Sequence, residues 1–185
     1  MHGVGLCNDT LPFEGVVACG YYHSPPLRRM IAAVKYQGVT ALACDVEVFL
    51  SRERMARSAI FPWSHEPSLH LLPMPLASSR ERERGFNQAV WLAERMRAAW
   101  HFSGPLLHQD ILTRSLLISP QAEIDDPNIR AANVSGSFMV HGTVPEAILL
   151  IDDVVTTGST AKEAALCLKK AGAKRVYVTC LALGR

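Results

Sequence analysis

The sequence predicts an α/β domain with a mostly parallel central sheet. From Leu69 onward, short apolar runs such as Ala147 to Ile151 alternate with amphipathic segments of helical period. Strands that are apolar on both faces are typical of parallel sheets covered by helices. The chain has 185 residues, 49% of them hydrophobic, which is enough for one core of ordinary size. Ligands of such sheets bind at the carboxyl ends of the strands.

The N-terminal part predicts two helices. Ser24, followed by two prolines, can cap and start the first helix, and Gly38 can end it. Two apolar faces mark these helices: Leu27, Met30, Ile31 and Val34, then Leu42, Val46, Phe49 and Leu50. We therefore expect a small N-terminal helical element over residues 1–68, ahead of a main domain over residues 69–185.

In the main domain, strands and helices are predicted to alternate. Strands are predicted at residues 69–74, 137–140, 147–151 and 176–183. Two helical faces lie between them: Phe86, Ala89, Val90, Ala93 and Met96, then Ala161, Ala164, Ala165 and Leu168. Gly172 can end the second of these helices.

Composition and charge narrow the class of protein. The net charge is +2 and 19% of the residues are charged, which argues against disorder and against a generally basic nucleic-acid coat. No apolar stretch of the sequence approaches the roughly 20 residues that cross a bilayer. The five cysteines include no C-x-x-C pair and the seven histidines show no metal-binding spacing. We therefore expect a cytoplasmic protein with reduced thiols and no membrane partner.

The strongest chemical signal is the segment from Ala147 to Thr160, AILLIDDVVTTGST. Its last five residues offer N–H and hydroxyl donors, and the helix that follows presents its positive end, so the segment suits a phosphate. Asp152 and Asp153 can accept hydrogen bonds from two vicinal sugar hydroxyls. A phosphate beside a sugar diol is a ribose 5-phosphate. A plainer alternative is that the two acids cap the loop and that the loop only starts a helix.

This segment resembles the phosphoribosyl pyrophosphate (PRPP) motif of type I phosphoribosyltransferases, with four apolar residues, two acids, two more residues and T-T-G-S-T. Two further segments, Leu72 to Leu76 (LPMPL) and Arg80 to Gln88 (RERERGFNQ), look like the signature of the ComF/GntX branch of that family. The spacing from Tyr22 to Lys35-Tyr36-x-Gly38 is also similar. The resemblance covers Phe13 to Arg185 and implies a type I phosphoribosyltransferase fold.

The resemblance also implies roles for the candidate site residues. Asp152 and Asp153 would hold the ribose hydroxyls. The 5-phosphate would be held by Thr156, Thr157, Gly158, Ser159 and Thr160. The candidates for pyrophosphate, or for a hood over the site, are Pro75, Leu76, Arg84, Asn87, Gln88, Arg114 and Arg130. An equally simple alternative gives residues 80–84 a solvated face and lets Arg114 and Arg130 form ion pairs within their own acidic loop.

Two functions are implied by the resemblance. The first is a phosphoribosyltransferase that transfers ribose 5-phosphate to an acceptor that the sequence does not identify, with release of pyrophosphate and with Mg²⁺ bound through PRPP. The alternative is a non-catalytic protein that binds PRPP or a nucleotide, or a competence (DNA-uptake) accessory protein that contacts single-stranded DNA or competence proteins. Members of this branch commonly begin with a cysteine-rich zinc ribbon. Only Cys7 suggests its end here, so no zinc is expected in this chain.

Overall fold

A computed structural model describes residues 11–36, 43–57, 61–102, 110–114 and 137–184. Its strands are β1 (Gly15–Tyr21), β2 (Leu69–Pro73), β3 (Leu112–Arg114), β4 (Phe138–Val140), β5 (Ala147–Val155) and β6 (Arg175–Leu183). Four of them form a parallel sheet in the order β1-β6-β5-β2, and β3 pairs with β4 in an antiparallel ribbon. The predicted α/β fold with a mostly parallel sheet is thereby confirmed, and its arrangement is that of a phosphoribosyltransferase-like fold.

Helices cover both faces of the sheet. They are α1 (Pro25–Tyr36), α2 (Ala43–Arg57), α3 (Ser78–Arg84), α4 (Gln88–Ala99) and α5 (Ser159–Lys170). Most of α4 packs with α1 and α2 on one face, whereas α5 packs on the other. Within the described part of the chain, none of the helices has the length and apolar character needed to cross a bilayer.

Strand β5 lies at the centre of the core. Its first five residues, 147–151, are each at most 2% exposed. Ile148 and Leu150 pack on the α5 side, whereas Leu149 and Ile151 pack on the side of α1, α2 and α4, because side chains alternate along a strand. Full burial of one such side chain stabilises the fold by about 1.5–3 kcal/mol. The strand is therefore a rigid support for the residues at its carboxyl end.

The N-terminal part contains a strand that the sequence pattern does not predict. β1 pairs with β6 in parallel, from Gly15 opposite Tyr177 to Tyr21 opposite Leu183. Two glycines within β1 weaken the strand signal, because glycine has low strand propensity. α1 and α2 are found where helices are predicted, and Leu42 and Gly38 lie outside the described residues. The division of the chain at residue 68 stays a prediction.

The helical face predicted from Phe86 to Met96 is divided in the structure. Gly85, with φ 77°, ends α3, and its N–H donates to the Glu81 carbonyl at 2.8 Å. Asn87 then caps α4. Phe86 therefore lies between two helices rather than within one. The left-handed conformation of Gly85 explains the break, since it stops the backbone from continuing as a helix.

Candidate functional site

The carboxyl ends of β2 and β5 lie side by side. Pro73 is opposite Ile151, and the Met74 N–H donates to the Ile151 carbonyl at 2.8 Å. After β2 the chain continues into α4 on one face of the sheet, and after β5 it continues into α5 on the other. In α/β sheets such a divergence marks the crevice in which ligands bind.

The β5 loop (residues 156–160) turns the chain from strand into helix. Gly158, with φ 76° and ψ 1°, adopts the left-handed conformation that favours glycine and stands at the N-cap of α5. The Thr157 and Ser159 hydroxyls lie 2.6 Å apart, and the Ser159 N–H donates to Thr157 Oγ1 at 3.3 Å. Ser159 and Thr160 already belong to α5, so the irregular part is three residues long rather than the expected five. The first N–H groups of α5 have no helical acceptor, so this end can hold an anion.

The β5 loop is packed from behind and open at Gly158. The Gly184 N–H donates to the Val155 carbonyl at 2.8 Å, and a Cβ added at Gly184 would lie 2.6 Å from Thr156 Cγ2. Among the described residues, a Cβ added at Gly158 would meet nothing nearer than Val155 Cγ1, at 4.0 Å. Within that part of the chain, the Gly158 main chain therefore has no close contact on its Cβ side.

The acidic pair, Asp152 and Asp153, belongs to the last part of β5 rather than to the loop. Because side chains alternate along a strand, the two carboxylates leave β5 toward opposite faces of the sheet. Asp152 is half-buried and Asp153 is buried. Each carboxylate accepts the N–H of the next residue at 2.8 Å, Asp152 Oδ1 from Asp153 and Asp153 Oδ1 from Val154.

The two acids have different electrostatic surroundings. Asp153 Oδ2 lies 2.7 Å from Nζ of Lys35, in the last turn of α1. Burial, together with the charge of Asp153, raises the pKa of Asp152 to about 8, and the charge of Lys35 opposes this rise only in part. Asp152 therefore binds a proton more tightly than an ordinary carboxyl group does, whereas Asp153 is paired with a cation.

The β2 connection (residues 74–88) contains two buried amides. The Asn87 Nδ2 donates to the Met74 carbonyl at 3.1 Å, and its Oδ1 accepts the Ala89 N–H at 2.9 Å. Gln88 is 6% exposed, and its Oε1 has no hydrogen-bond partner within the described residues. Pro75 is buried and Leu76 is half-buried. Asn87 thus joins the end of β2 to the start of α4, which is a supporting role in the site.

Arg114 lies near Asp152, and Arg80 lies near Arg114. The Arg114 guanidinium carbon is 5.7 Å from the centre of the Phe138 ring. Burial lowers the pKa of Arg114, the charge of Arg80 lowers it further, and the charges of Asp152 and Glu163 raise it. Arg84 is half-buried at the end of α3. It lies four residues after Arg80 and hence on the same helical face.

The ribbon that carries Arg114 is fixed to α5. The N–H and Oγ of Ser137, just before β4, donate to the two carboxylate oxygens of Glu163 at 2.8 and 2.9 Å. These bonds link the start of β4 to the helix that follows the β5 loop. Arg130, the other predicted hood residue, lies outside the described residues.

The structure therefore brings the acidic pair, the β5 loop and the start of the β2 connection to one edge of the sheet. The residue that sequence reasoning missed there is Lys35. Its signal was the Lys35-Tyr36-x-Gly38 spacing, to which no role was assigned. Arg80 is not among the residues predicted to bind pyrophosphate, yet its charge affects the pKa of Arg114.

The parallel sheet and its crevice define an α/β protein of the phosphoribosyltransferase-like class. The chain is 29% identical over 173 residues to the DNA utilization protein YhgH of Salmonella typhi, covering 92% of this chain and 72% of that protein. It is 30% identical over 152 residues to the competence protein ComFC of Bacillus subtilis (82% and 57% covered). It is 31% identical over 116 residues to the competence protein F of Haemophilus influenzae (60% and 49% covered). No family model matches the chain. These relatives support the assignment of the chain to the ComF family.

Proposed function

We propose that this chain is a ComF-type protein of DNA utilization or natural competence whose crevice binds a ribose 5-phosphate group, presented as PRPP or as a nucleotide. The printed names of the relatives, a DNA utilization protein and two competence proteins, support the DNA-related part. The chemistry of the crevice supports the ligand part. The phosphoribosyl ligand would be bound without being consumed.

The observation that carries the ligand assignment is the succession of acidic pair, open loop and helix start along one chain segment. The exposed Thr156 and Thr157 and the N-terminal N–H groups of α5 suit the oxygens of a phosphate. Asp152, three residues before the end of β5, supplies acceptor oxygens for sugar hydroxyls. Only a ligand that carries an anion and hydroxyl donors together uses both features, and a ribose 5-phosphate does so.

A specific observation favours a second candidate function, the transfer reaction. Arg80 and Arg114 are close enough that the charge of Arg80 lowers the pKa of Arg114. A diphosphate between them would offset this repulsion. In the reaction, the bond from the anomeric carbon to pyrophosphate breaks while a bond to the acceptor forms, through an oxocarbenium-like transition state. Mg²⁺ carried by the diphosphate would supply charge neutralisation. The arginines would orient that diphosphate, and no protein nucleophile is required.

Calorimetric titration tests the ligand assignment. We expect heats of binding for ribose 5-phosphate and for PRPP with Mg²⁺, and none for ribose. A ligand at about 100 times its Kd adds about 2.7 kcal/mol of stability, so the Tm should rise in parallel. No heat and no thermal shift at millimolar concentrations of either phosphate ligand would overturn the assignment. Release of pyrophosphate in the presence of a panel of bases would favour the transferase over the binding protein.

Single-stranded DNA is tested separately, in a salt series. The logarithm of the affinity should fall with the logarithm of the salt concentration with a slope of about −0.7 per phosphate neutralised. If the crevice accepts the end of a DNA strand, a 5′-phosphorylated oligonucleotide should compete with ribose 5-phosphate and the 5′-hydroxyl form should not. An absence of DNA binding at low salt would contradict a direct DNA contact and leave a role through partner proteins.

A further inference from the structure

Lys35 reaches the acidic pair from a helix at the opposite end of the sequence. It lies in the last turn of α1, and its Nζ is 2.7 Å from Asp153 Oδ2. The two side chains are 21% and 9% exposed. Leu27, Ile31 and Val34 of α1 are buried against the same face of the sheet. The packing of the whole helix α1 therefore holds the Lys35 ammonium at the site.

The alternation along β5 explains why Lys35 meets Asp153 and not Asp152. Asp153 follows Leu149 and Ile151 onto the face that α1 covers, whereas Asp152 follows Ile148 and Leu150 onto the face of α5. A buried carboxylate needs a compensating charge or hydrogen bonds. Asp153 obtains both, from Lys35 and from the Val154 N–H. The charge of Lys35 also lowers the pKa of Asp152, so it acts on the pair and not on one acid alone.

Carboxylate oxygens are also the preferred ligands of Mg²⁺ and Ca²⁺, so an Asp153 carboxylate without its counter-ion would attract such a cation. The ammonium of Lys35, 2.7 Å from Asp153 Oδ2, offsets that negative charge and shields one oxygen. The remaining acceptor sites then suit hydroxyl donors better than a divalent cation.

We infer that Lys35 is a specificity-determining residue, a fixed counter-cation that makes the acidic pair bind a neutral sugar diol and not a divalent metal ion. The part of this inference that concerns sugar binding rests on the proposed function. It implies that ribose 5-phosphate binds equally well with and without divalent metal. It also implies that loss of the Lys35 charge makes the pair more attractive to a divalent metal ion.

The test compares Lys35→Met with Lys35→Arg, which restores a cation, and with Lys169→Met as a matched control. Lys169 lies on α5 and forms an ion pair with Glu14 at 3.1 Å. Each protein is titrated with Mn²⁺ alone, followed by electron paramagnetic resonance, and with ribose 5-phosphate in the presence of a chelator, followed by calorimetry. Circular dichroism checks that each variant is folded.

In Lys35→Met we expect Mn²⁺ affinity to rise at least tenfold and ribose 5-phosphate affinity to fall at least tenfold. Lys35→Arg should restore much of the wild-type behaviour, and Lys169→Met should match the wild type in both titrations. Adding Asp153→Asn to Lys35→Met should abolish the new Mn²⁺ binding, because the double variant no longer carries the unpaired carboxylate charge of Asp153.

A folded Lys35→Met protein that binds ribose 5-phosphate as the wild type does, and gains no Mn²⁺ binding, would overturn the inference and leave a structural ion pair. If Lys35→Met does not fold, Lys35→Gln carries the same test, because it keeps an N–H donor but no charge. If the wild type binds no ribose 5-phosphate, the proposed function fails, while the Mn²⁺ titration still decides whether Lys35 excludes metal.

Discussion

The β5 loop and the β2 connection meet at the same edge of the sheet, but they use their polar groups differently. In the β5 loop, Thr156 and Thr157 are exposed, and Gly158 is open on its Cβ side. In the β2 connection, Asn87 is buried and both ends of its amide are bonded to the protein. The first segment leaves exposed threonines beside an open turn, where solvent or a ligand can reach them, while the Asn87 amide in the second holds two elements together.

This difference distinguishes residues that are free to contact a ligand from residues that stabilise the fold, although both kinds belong to motifs of the same family resemblance. Asn87 belongs to the RGFNQ block, which the resemblance associates with pyrophosphate, yet its hydrogen bonds run to Met74 and Ala89. Its loss should therefore be felt as a loss of stability first. Residues of the β5 loop make few contacts that stabilise the free protein, so we expect their substitution to reduce ligand affinity instead.

Replacing Asn87 should have the largest effect on folding. Asn87→Ala removes the N-cap of α4 and leaves the buried Met74 carbonyl without its donor, which together cost about 2–4 kcal/mol. Asn87→Asp keeps the cap acceptor and should cost less. Urea denaturation of both variants measures the difference. Equal stability of Asn87→Ala and the wild type would mean that the amide is not a support and that the contrast between the two segments is wrong.

Replacing Gly158 should have the largest effect on binding. Gly158→Val puts a β-branched residue at φ 76°, and its side chain would occupy the space in front of the loop, so ribose 5-phosphate affinity should fall at least about 100-fold, or about 2.7 kcal/mol. Gly142→Val is the matched control, because Gly142 has φ 72° and an equally open Cβ side. Both variants should lose similar stability through backbone strain, about 1–3 kcal/mol. Affinity retained in Gly158→Val would show that the phosphate lies elsewhere.

The two members of the acidic pair should respond with opposite signs. Sequence reasoning treats them as equivalent like charges, so that either Asn substitution leaves the free protein as stable or slightly more stable. The ion pair with Lys35 corrects this for Asp153. Asp153→Asn should cost about 1–2 kcal/mol, because it leaves a partly buried ammonium without its partner.

Asp152→Asn should stabilise the free protein, and increasingly so as the pH rises toward 8. The pKa of Asp152 is raised in the folded state to about 8, so the folded state binds its proton more tightly than the unfolded state does. The stability contributed by this group is therefore present below its unfolded pKa and is lost as the pH rises toward 8. The advantage of Asp152→Asn over the wild type should grow between pH 4 and pH 8 in thermal unfolding. A constant difference across that range would contradict the raised pKa.

The arginines of α3 should give the smallest effect. Arg80 and Arg84 share one helical face, whereas Arg82 lies on the opposite side. Arg80→Gln and Arg84→Gln should each weaken PRPP about fivefold relative to ribose 5-phosphate, about 1 kcal/mol for a partly exposed charge. Arg82→Gln should leave the ratio of the two affinities unchanged. Equal losses in all three variants would point to a general electrostatic effect rather than to a contact with the diphosphate.

Local patterns in the sequence were sufficient to predict the β5 loop and its strand. An apolar run, two acids and a glycine-containing turn into a helix are all encoded within 14 adjacent residues. The sheet was predicted for the same reason, except for β1, whose two glycines and edge position weaken the pattern. Helix boundaries in the structure differ from the predicted ones by a few residues where a single φ angle, as at Gly85, decides where a helix ends.

Long-range packing, in contrast, was beyond the reach of the sequence. Lys35 and Asp153 are 118 positions apart in the chain, and nothing local indicates that α1 directs one toward the other. The support role of Asn87 likewise depends on a carbonyl 13 residues away. The effect of the Arg80 charge on the pKa of Arg114 depends on how the β3–β4 ribbon and α3 are placed relative to each other. No periodicity in the sequence encodes that placement. These contacts are fixed by tertiary packing, and only the structure reveals them.

The most direct test of the central claim is a crystal structure of the chain with ribose 5-phosphate. We expect the phosphate within hydrogen-bond distance of the main-chain N–H groups of residues 157–160, with the ribose hydroxyls toward Asp152 and the Lys35–Asp153 pair still closed. A phosphate bound instead against Arg80 and Arg84, with the β5 loop empty, would contradict the assignment of the site.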